Sequence, residues 1–290
     1  GLEYRRILAL IREGKSKEEI FKQMMAYSKW ASAPAQYREL TYNKALKFVE
    51  QQEELPEEEI MQIIKETYPK IVQVLKEYCD LKEKYYPLIA AWIIGTYLHK
   101  GFLTYPYLYF NAMKGSGKSR ILSLIAHLSK NGKIVVNMSE AVLFRTAEYS
   151  TLCIDEFERV GGKEKQALRE LLNAGYKKGA KVQRARKIAS KTGEKYIIEE
   201  FNVFCPIAMA NIWGMDEVLS DRSVCIVVEK SSNPKITRKL EIWALEPLIR
   251  EIKDPLCVIM CKDDRYFNIY KIWNEKLHLY TNTTNNNPLH

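Results

Sequence analysis

The sequence predicts an α/β fold in which a parallel sheet lies between helices and carries an inserted β-hairpin. A small all-helical domain precedes it. Three observations predict this. Residues 1–84 keep only the helical period, whereas from about residue 85 apolar strand-like runs alternate with helical ones. A loop bearing Gly115 and Gly117 falls between one such strand and one such helix. Residues 177–201 then read as two short strands around a Thr192-Gly193 turn.

Composition limits the alternatives. The 290 residues are 47% hydrophobic and 28% charged, the proportions of a globular chain rather than a disordered one. The longest apolar run, Leu88 to Leu98, falls short of the roughly 20 residues that cross a bilayer. The opening Gly1-Leu2-Glu3-Tyr4-Arg5-Arg6 has no secretory core or cleavage site. The six cysteines form no CxxC pair, and Cys257 with Cys261 has no second pair to complete a zinc site. They read as small buried hydrophobes in a reducing compartment. The expectation is a cytoplasmic protein with no membrane partner.

In the helical part, Ser16-Lys17-Glu18-Glu19 is a capping box leading into Ile20 and Met24. Thr41 suits the cap of a second helix. Pro56 with Glu57, Glu58 and Glu59 suits the first turn of a third, and Pro69 marks a break or kink in it. Sixteen basic against fifteen acidic residues in 1–100 leave no charge excess there. The domains expected are a helical bundle over 1–84, serving as an oligomerising collar or a linker, an α/β core over 85–230, and a helical lid-like region with a polar tail over 231–290.

The core opens with a helix over Pro87–His99 and an aromatic strand over Tyr105–Phe110. Then comes Ala112-Met113-Lys114-Gly115-Ser116-Gly117-Lys118-Ser119. This fits a P-loop with alanine in place of its first glycine. Gly115, Ser116 and Gly117 let successive N–H groups face phosphate oxygens, Lys118 reaches the β and γ phosphates, and the Ser119 hydroxyl binds Mg²⁺. A helix follows over Lys118–Leu128, as the motif requires. The strand Thr151-Leu152-Cys153-Ile154 ends in Asp155-Glu156. Placed beside the P-loop strand, Asp155 would sit near the metal and Glu156 would polarise the attacking water. ATP and Mg²⁺ are therefore the expected cofactors.

Two later positions refine the class. Asn211 ends the apolar run from Cys205, where it either extends an amide toward the γ-phosphate or merely starts a turn. Arg222 precedes another apolar run, where it either completes a neighbouring subunit's site or pairs with Asp221 on the surface.

Taken together, Lys118, Ser119, Asp155, Glu156, Asn211 and Arg222 resemble the Walker A, Walker B, sensor 1 and arginine-finger positions of AAA+ ATPases. Ser139–Arg145, Gly175–Arg184, Phe201–Pro206 and Leu219–Ser223 are similar to a family of such ATPases from phages, plasmids and integrated elements, often primase-associated. The Walker spacing is similar to superfamily 3 helicases. The resemblance covers about residues 85–230 and implies a hexameric ring, a replicative helicase role and a primase or polymerase partner. Either Arg238 or Arg250 would be its sensor 2.

The formal charge of +9 is concentrated. Lys177–Lys195 holds eight basic residues and one acid, leaving +2 for the rest of the chain. This insertion resembles the pre-sensor-1 hairpin of ring helicases, and Lys181, Arg184, Arg186, Lys187 and Lys191 are its candidate contacts to single-stranded or forked DNA. The function expected is an ATP-driven DNA helicase or translocase of a mobile element. The alternatives are a non-translocating initiator or helicase loader switched by ATP, and a small-molecule P-loop kinase, which the basic insertion disfavours.

Overall fold

The computed structural model describes residues 2–12, 14–50, 56–136, 139–155, 162–190, 193–211, 217–237 and 240–259. The chain divides into two compact units, one of Gly1–Gln73 with Glu241–Met260 and one built on Val74–Leu240.

The first unit contains α1 (Leu2–Arg12), α2 (Lys17–Met24), α3 (Ser28–Ala31), α4 (Ala35–Glu50) and most of α5 (Glu57–Tyr78). Ser16 caps α2 by the expected reciprocal box: its hydroxyl accepts from the Glu19 N–H and the Glu19 carboxylate accepts from the Ser16 N–H. Ile7, Leu8, Ile20, Met24, Trp30 and Tyr42 form one buried cluster, with Phe21 edge-on to Trp30 at 5.5 Å. Thr41 does not cap a helix. It lies inside α4, and its hydroxyl donates to the Tyr37 carbonyl one turn back. Pro69 does not break α5 either. Ile63 and Ile64 before it and Ile71, Val74 and Leu75 after it are all buried. Keeping that stripe continuous outweighs the one backbone hydrogen bond a proline removes, a cost of about 3 kcal/mol.

Of the region expected over 231–290, residues 260–290 lie outside the described residues. The helix Ile242–Val258 belongs to the first unit and packs along α1. Asp254, only 4% exposed, accepts from the Arg6 guanidinium across that contact. Removing the carboxylate strands a mostly buried cation. Asp254→Ala is therefore expected to cost about 3 kcal/mol in chemical denaturation of the full chain. A loss below about 1 kcal/mol would mean the pair is solvated.

In the second unit α6 (Tyr85–Leu98) is apolar on every side and buried. Its Gly95 admits the Tyr105 hydroxyl, which a Cβ would meet at 2.4 Å. That hydroxyl donates to the Trp92 carbonyl. After it come β1 (Tyr107–Ala112), α7 (Lys118–Leu128), β2 (Gly132–Val136), α8 (Glu140–Thr146), β3 (Thr151–Asp155) and α9 (Gly162–Gly175). The chain continues through β4 (Lys181–Ser190), β5 (Gly193–Asn202), β6 (Ile207–Asn211), α10 (Glu217–Ser220), β7 (Ser223–Val228) and α11 (Pro234–Thr237), and the helix Ile242–Val258 is α12.

Five strands form one parallel sheet in the order β2-β3-β6-β1-β7. Alternation sorts its residues onto two faces. Tyr107, Tyr109, Leu152, Ile154, Ile207 and Met209 share a core cluster with Leu143 and Phe144 of α8 and Leu171 and Leu172 of α9. The opposite face presents the small residues Cys153, Ala208 and Ala210, all buried, and α7 lies against β2, β3 and β6. At Gly132 a Cβ would fall 1.9 Å from the Ala126 carbonyl oxygen of α7. Gly132→Ala is accordingly expected to lower the thermal midpoint by several degrees, because backbone rather than a flexible side chain must move.

Strand order corrects one expectation. β3 is not beside β1, because β6 lies between them, paired to β1 through Asn111 and Asn211 and to β3 through Ile154 and Met209. Burial pushes up the thiols of Cys153, in the inner strand β3, and of Cys205, in the connection leading into β6, whereas Cys225 is exposed on the edge strand β7. Among the described residues no helix is long and apolar enough to cross a membrane.

Candidate functional site

The sheet reverses its winding at β1. The chain runs from β1 out to β2, returns through β3 and β6, and crosses to β7 on the other side. Ligands of open α/β sheets bind beyond the strand carboxyl ends at such a switch point. The loop leaving β1 there is Met113-Lys114-Gly115-Ser116-Gly117. Gly115 and Gly117 have φ of +80° and +91°. A Cβ on either would meet nothing within 4 Å, so glycine is required for the backbone conformation and not for space.

Gly117 is also the residue before α7, and no side chain caps that helix. The N–H groups of its first turn therefore face outward with the positive end of the helix dipole, a ready anion site. The Ser116 hydroxyl is buried and has no hydrogen-bond partner, an arrangement that costs energy until a ligand group meets it.

Lys118 and Ser119 occupy the first turn of α7. The Ser119 hydroxyl donates to Asp155 Oδ2 at 2.6 Å, which joins that turn to the end of β3. Asn211 ends β6 between them and is only 6% exposed. Thus Lys118, Ser119, Asp155 and Asn211 all lie toward the carboxyl end of the sheet, although they come from three separate stretches of chain. Glu156 lies outside the described residues. Among the described residues no cluster of three or more His, Cys, Asp or Glu can hold a metal. The oxygens on offer are one hydroxyl and one carboxylate. That donor set suits a hard ion such as Mg²⁺, which takes one or two carboxylates and fills its shell from phosphate and water.

Beside the glycine loop opens a small cleft of about 210 Å³. Its walls are Tyr78-Cys79-Asp80 at the end of α5, Arg120 and Ile121 of α7, and Ser231 with Ile236. Arg120 donates to the Ile236 carbonyl, and the Ser231 hydroxyl donates to Asp80 at 2.6 Å, so hydrogen bonds link the segments forming the walls. Burial pushes the Cys79 thiol up to about 12, so this cysteine is an inert part of the wall. No local pattern marks these residues. Arg120 simply follows Lys118 and Ser119 in the polar first turn of α7.

Arg222 is remote from this end of the sheet. It stands just before β7, and its carbonyl accepts from the Tyr107 N–H at the opposite end of the sheet. A six-residue strand such as β1 separates the two ends by about 20 Å. Instead of pairing with Asp221, its guanidinium lies 4.7 Å over the Tyr176 ring. Arg250 pairs with Glu246 in the other unit, and Arg238 lies outside the described residues.

The basic insertion is a β-hairpin, with β4 and β5 antiparallel from Lys181↔Asn202 to Ser190↔Gly193. Val182 and Phe201 root it in the core, and Phe201 meets Phe144 of α8 at 4.7 Å. Arg184 lies 5.3 Å over the Phe144 ring. Its return strand tempers the charge: Lys181 pairs with Glu200 at 2.9 Å, and Arg184 stands opposite Glu199 in register. Lys177–Asn202 thus carries eight basic and three acidic residues, a net +5. Two of the three acids, Glu199 and Glu200, lie near the root, so the excess rises toward the tip. There Arg186 and Lys187 stand in register with Ile197 and Tyr196, while Lys191 lies outside the described residues.

No family model matches the chain, and no curated protein does. Among the solved structures similar to it are two of one protein region. One is the A-form apo structure of the NrS-1 C-terminal region, at 16% identity over 71% of this chain and 47% of that one, with a TM-score of 0.34. The other is an apo structure of the same region, at 14% identity, the same coverage and a TM-score of 0.35. The chain spans about half the length of these solved chains.

Proposed function

We propose that this chain is an ATP-hydrolysing motor of the AAA+ type that works on DNA, a helicase or translocase of a mobile genetic element acting in replication as a hexameric ring. The observation that carries the reading is the 2.6 Å bond from Ser119 to Asp155, which brings the start of α7 and the end of β3 together beside the glycine loop. In this reading Gly115, Ser116 and Gly117 wrap the β-phosphate with backbone N–H groups. Lys118 neutralises the β and γ oxygens, and Ser119 with Asp155 holds Mg²⁺. The ion supplies charge neutralisation across the transferred phosphoryl group. Glu156 takes the proton of the attacking water, Asn211 orients that water or the γ-phosphate, and the cleft beside the loop receives the nucleoside.

Arg222 cannot serve its own site across the sheet, so its contribution to hydrolysis is to the adjoining protomer. The hairpin supplies the grip on DNA. Neutralising Arg184 and Arg186 together is expected to weaken single-stranded DNA binding. The slope of log K against log salt should fall by about one for each phosphate that the variant no longer neutralises. Lys181→Ala is expected to do less, because Glu200 already neutralises Lys181. Unchanged affinity in the double variant would favour a small-molecule kinase. Strand displacement from a forked duplex with ATP tests the motor reading. ATP hydrolysis without displacement would favour an initiator or loader switched by ATP.

A further inference from the structure

Tyr176 links two parts of the molecule to which the proposed function gives separate tasks. It follows α9 directly, and the hairpin begins five residues later at Lys181. The stretch between them is fastened to the lead into β1. The Tyr105 N–H donates to the Tyr176 carbonyl at 2.9 Å, Lys177 bridges Thr104, and the Lys178 N–H donates to the Leu103 carbonyl at 2.9 Å. Two residues beyond Tyr105, the Tyr107 N–H donates to the carbonyl of Arg222. The hairpin root and Arg222 are therefore mounted on backbone positions two residues apart, and the side chains of Tyr176 and Arg222 meet.

The meeting is unequal. The Arg222 guanidinium rests 4.7 Å over the Tyr176 ring, and the Lys177 ammonium of the hairpin root approaches the same ring at 5.9 Å. One guanidinium nitrogen, Nη1, is buried without a hydrogen-bond partner. A cation over an aromatic face is stabilised, but a buried N–H with no acceptor is destabilised. Arg222 is thus held in place with part of its hydrogen-bonding capacity unused. A phosphate or carboxylate oxygen presented by an adjoining protomer would satisfy it once the guanidinium swings out from the ring.

We propose that Tyr176 is the positioning residue that ties the β4–β5 hairpin to Arg222, so that nucleic acid held by the hairpin governs hydrolysis at the adjoining protomer's site. The inference rests on the function proposed above. Displacing the root at Lys177 changes what the shared ring offers to Arg222, and the ring fixes the direction from which Arg222 leaves. Such coupling requires an element that both sites bias, and the stack supplies one.

The test measures kcat and KM for ATP with and without single-stranded DNA, together with DNA affinity, in the full chain. Tyr176→Phe keeps the aromatic face and is expected to match the wild type. Tyr176→Leu keeps bulk without the face. It is expected to lower the DNA-stimulated kcat about tenfold, the scale of one cation–π contact, with KM and DNA affinity changed less than about twofold. In an Arg222→Ala background Tyr176→Leu is expected to have no further effect, whereas a role in stability alone would add to it. Full DNA stimulation in Tyr176→Leu, or additive losses in the double variant, would overturn the proposal. A wild-type chain that hydrolyses ATP without any response to DNA would also overturn it while leaving the nucleotide site standing, and a wild-type chain that hydrolyses no ATP would end both.

Discussion

Lys118→Ala is expected to lower kcat/KM for ATP by about 10³-fold, the scale of removing a preorganised charge from a developing phosphoryl transition state. Lys118 stands at the first position of α7, directly after a glycine with φ of +91°. Its ammonium adds a mobile charge to N–H groups that the helix already directs outward. The loss should appear in nucleotide binding as well as in turnover, since in the proposed function the lysine would meet phosphate in both states. Glu156→Gln should separate the two effects, keeping ATP bound while abolishing hydrolysis. Normal turnover in Glu156→Gln would remove Glu156 from the role of base. Normal turnover in Lys118→Ala would remove the glycine loop from the role of phosphate site.

Arg222→Ala is expected to lower kcat by about 10³-fold and leave ATP affinity within about twofold, the behaviour of an arginine finger acting in trans. The geometry makes a sharper test available. Arg222 and Asp155 lie at opposite ends of the sheet, so one protomer cannot bring both to one phosphate. Mixing inactive Arg222→Ala protomers with inactive Lys118→Ala protomers should therefore restore hydrolysis, because some interfaces then pair an intact Lys118 with an intact Arg222. Absence of any recovery in mixtures that assemble would place the effect of Arg222 within its own chain.

Much of the candidate site was legible in the sequence because several local signals coincided there. The boundaries of α7, Lys118–Leu128, follow from a glycine pair that ends an apolar strand and an apolar helical period that begins at once. The hairpin was legible through alternation and the Thr192-Gly193 turn, and α2 through its capping box. What was hidden depends on contacts between distant stretches. Nothing in the apolar runs of β3 and β6 states which pairs with β1. The chain places Asn211 between the glycine loop and Asp155, a position the sequence order alone does not reveal. The charge of the insertion looked larger from a window closing at Lys195, because the neutralising Glu199 and Glu200 arrive only on the return strand. Thr41 misled for a related reason, since a threonine hydroxyl bonds backbone equally well at a cap or one turn inside a helix. The cleft walls at Tyr78–Asp80 and Ser231–Ile236 come from segments about 150 residues apart, bridged by Ser231 and Asp80.

The central claim is that the site formed by Lys118, Ser119, Asp155 and Asn211 hydrolyses ATP under the control of bound DNA. Release of phosphate from ATP by the full chain, measured with and without Mg²⁺ and with and without single-stranded DNA, tests it most directly. The prediction is hydrolysis that requires Mg²⁺ and rises several-fold with DNA, and that Asp155→Ala abolishes. Phosphate release that is absent in all four conditions, or unaltered by Asp155→Ala, would contradict it.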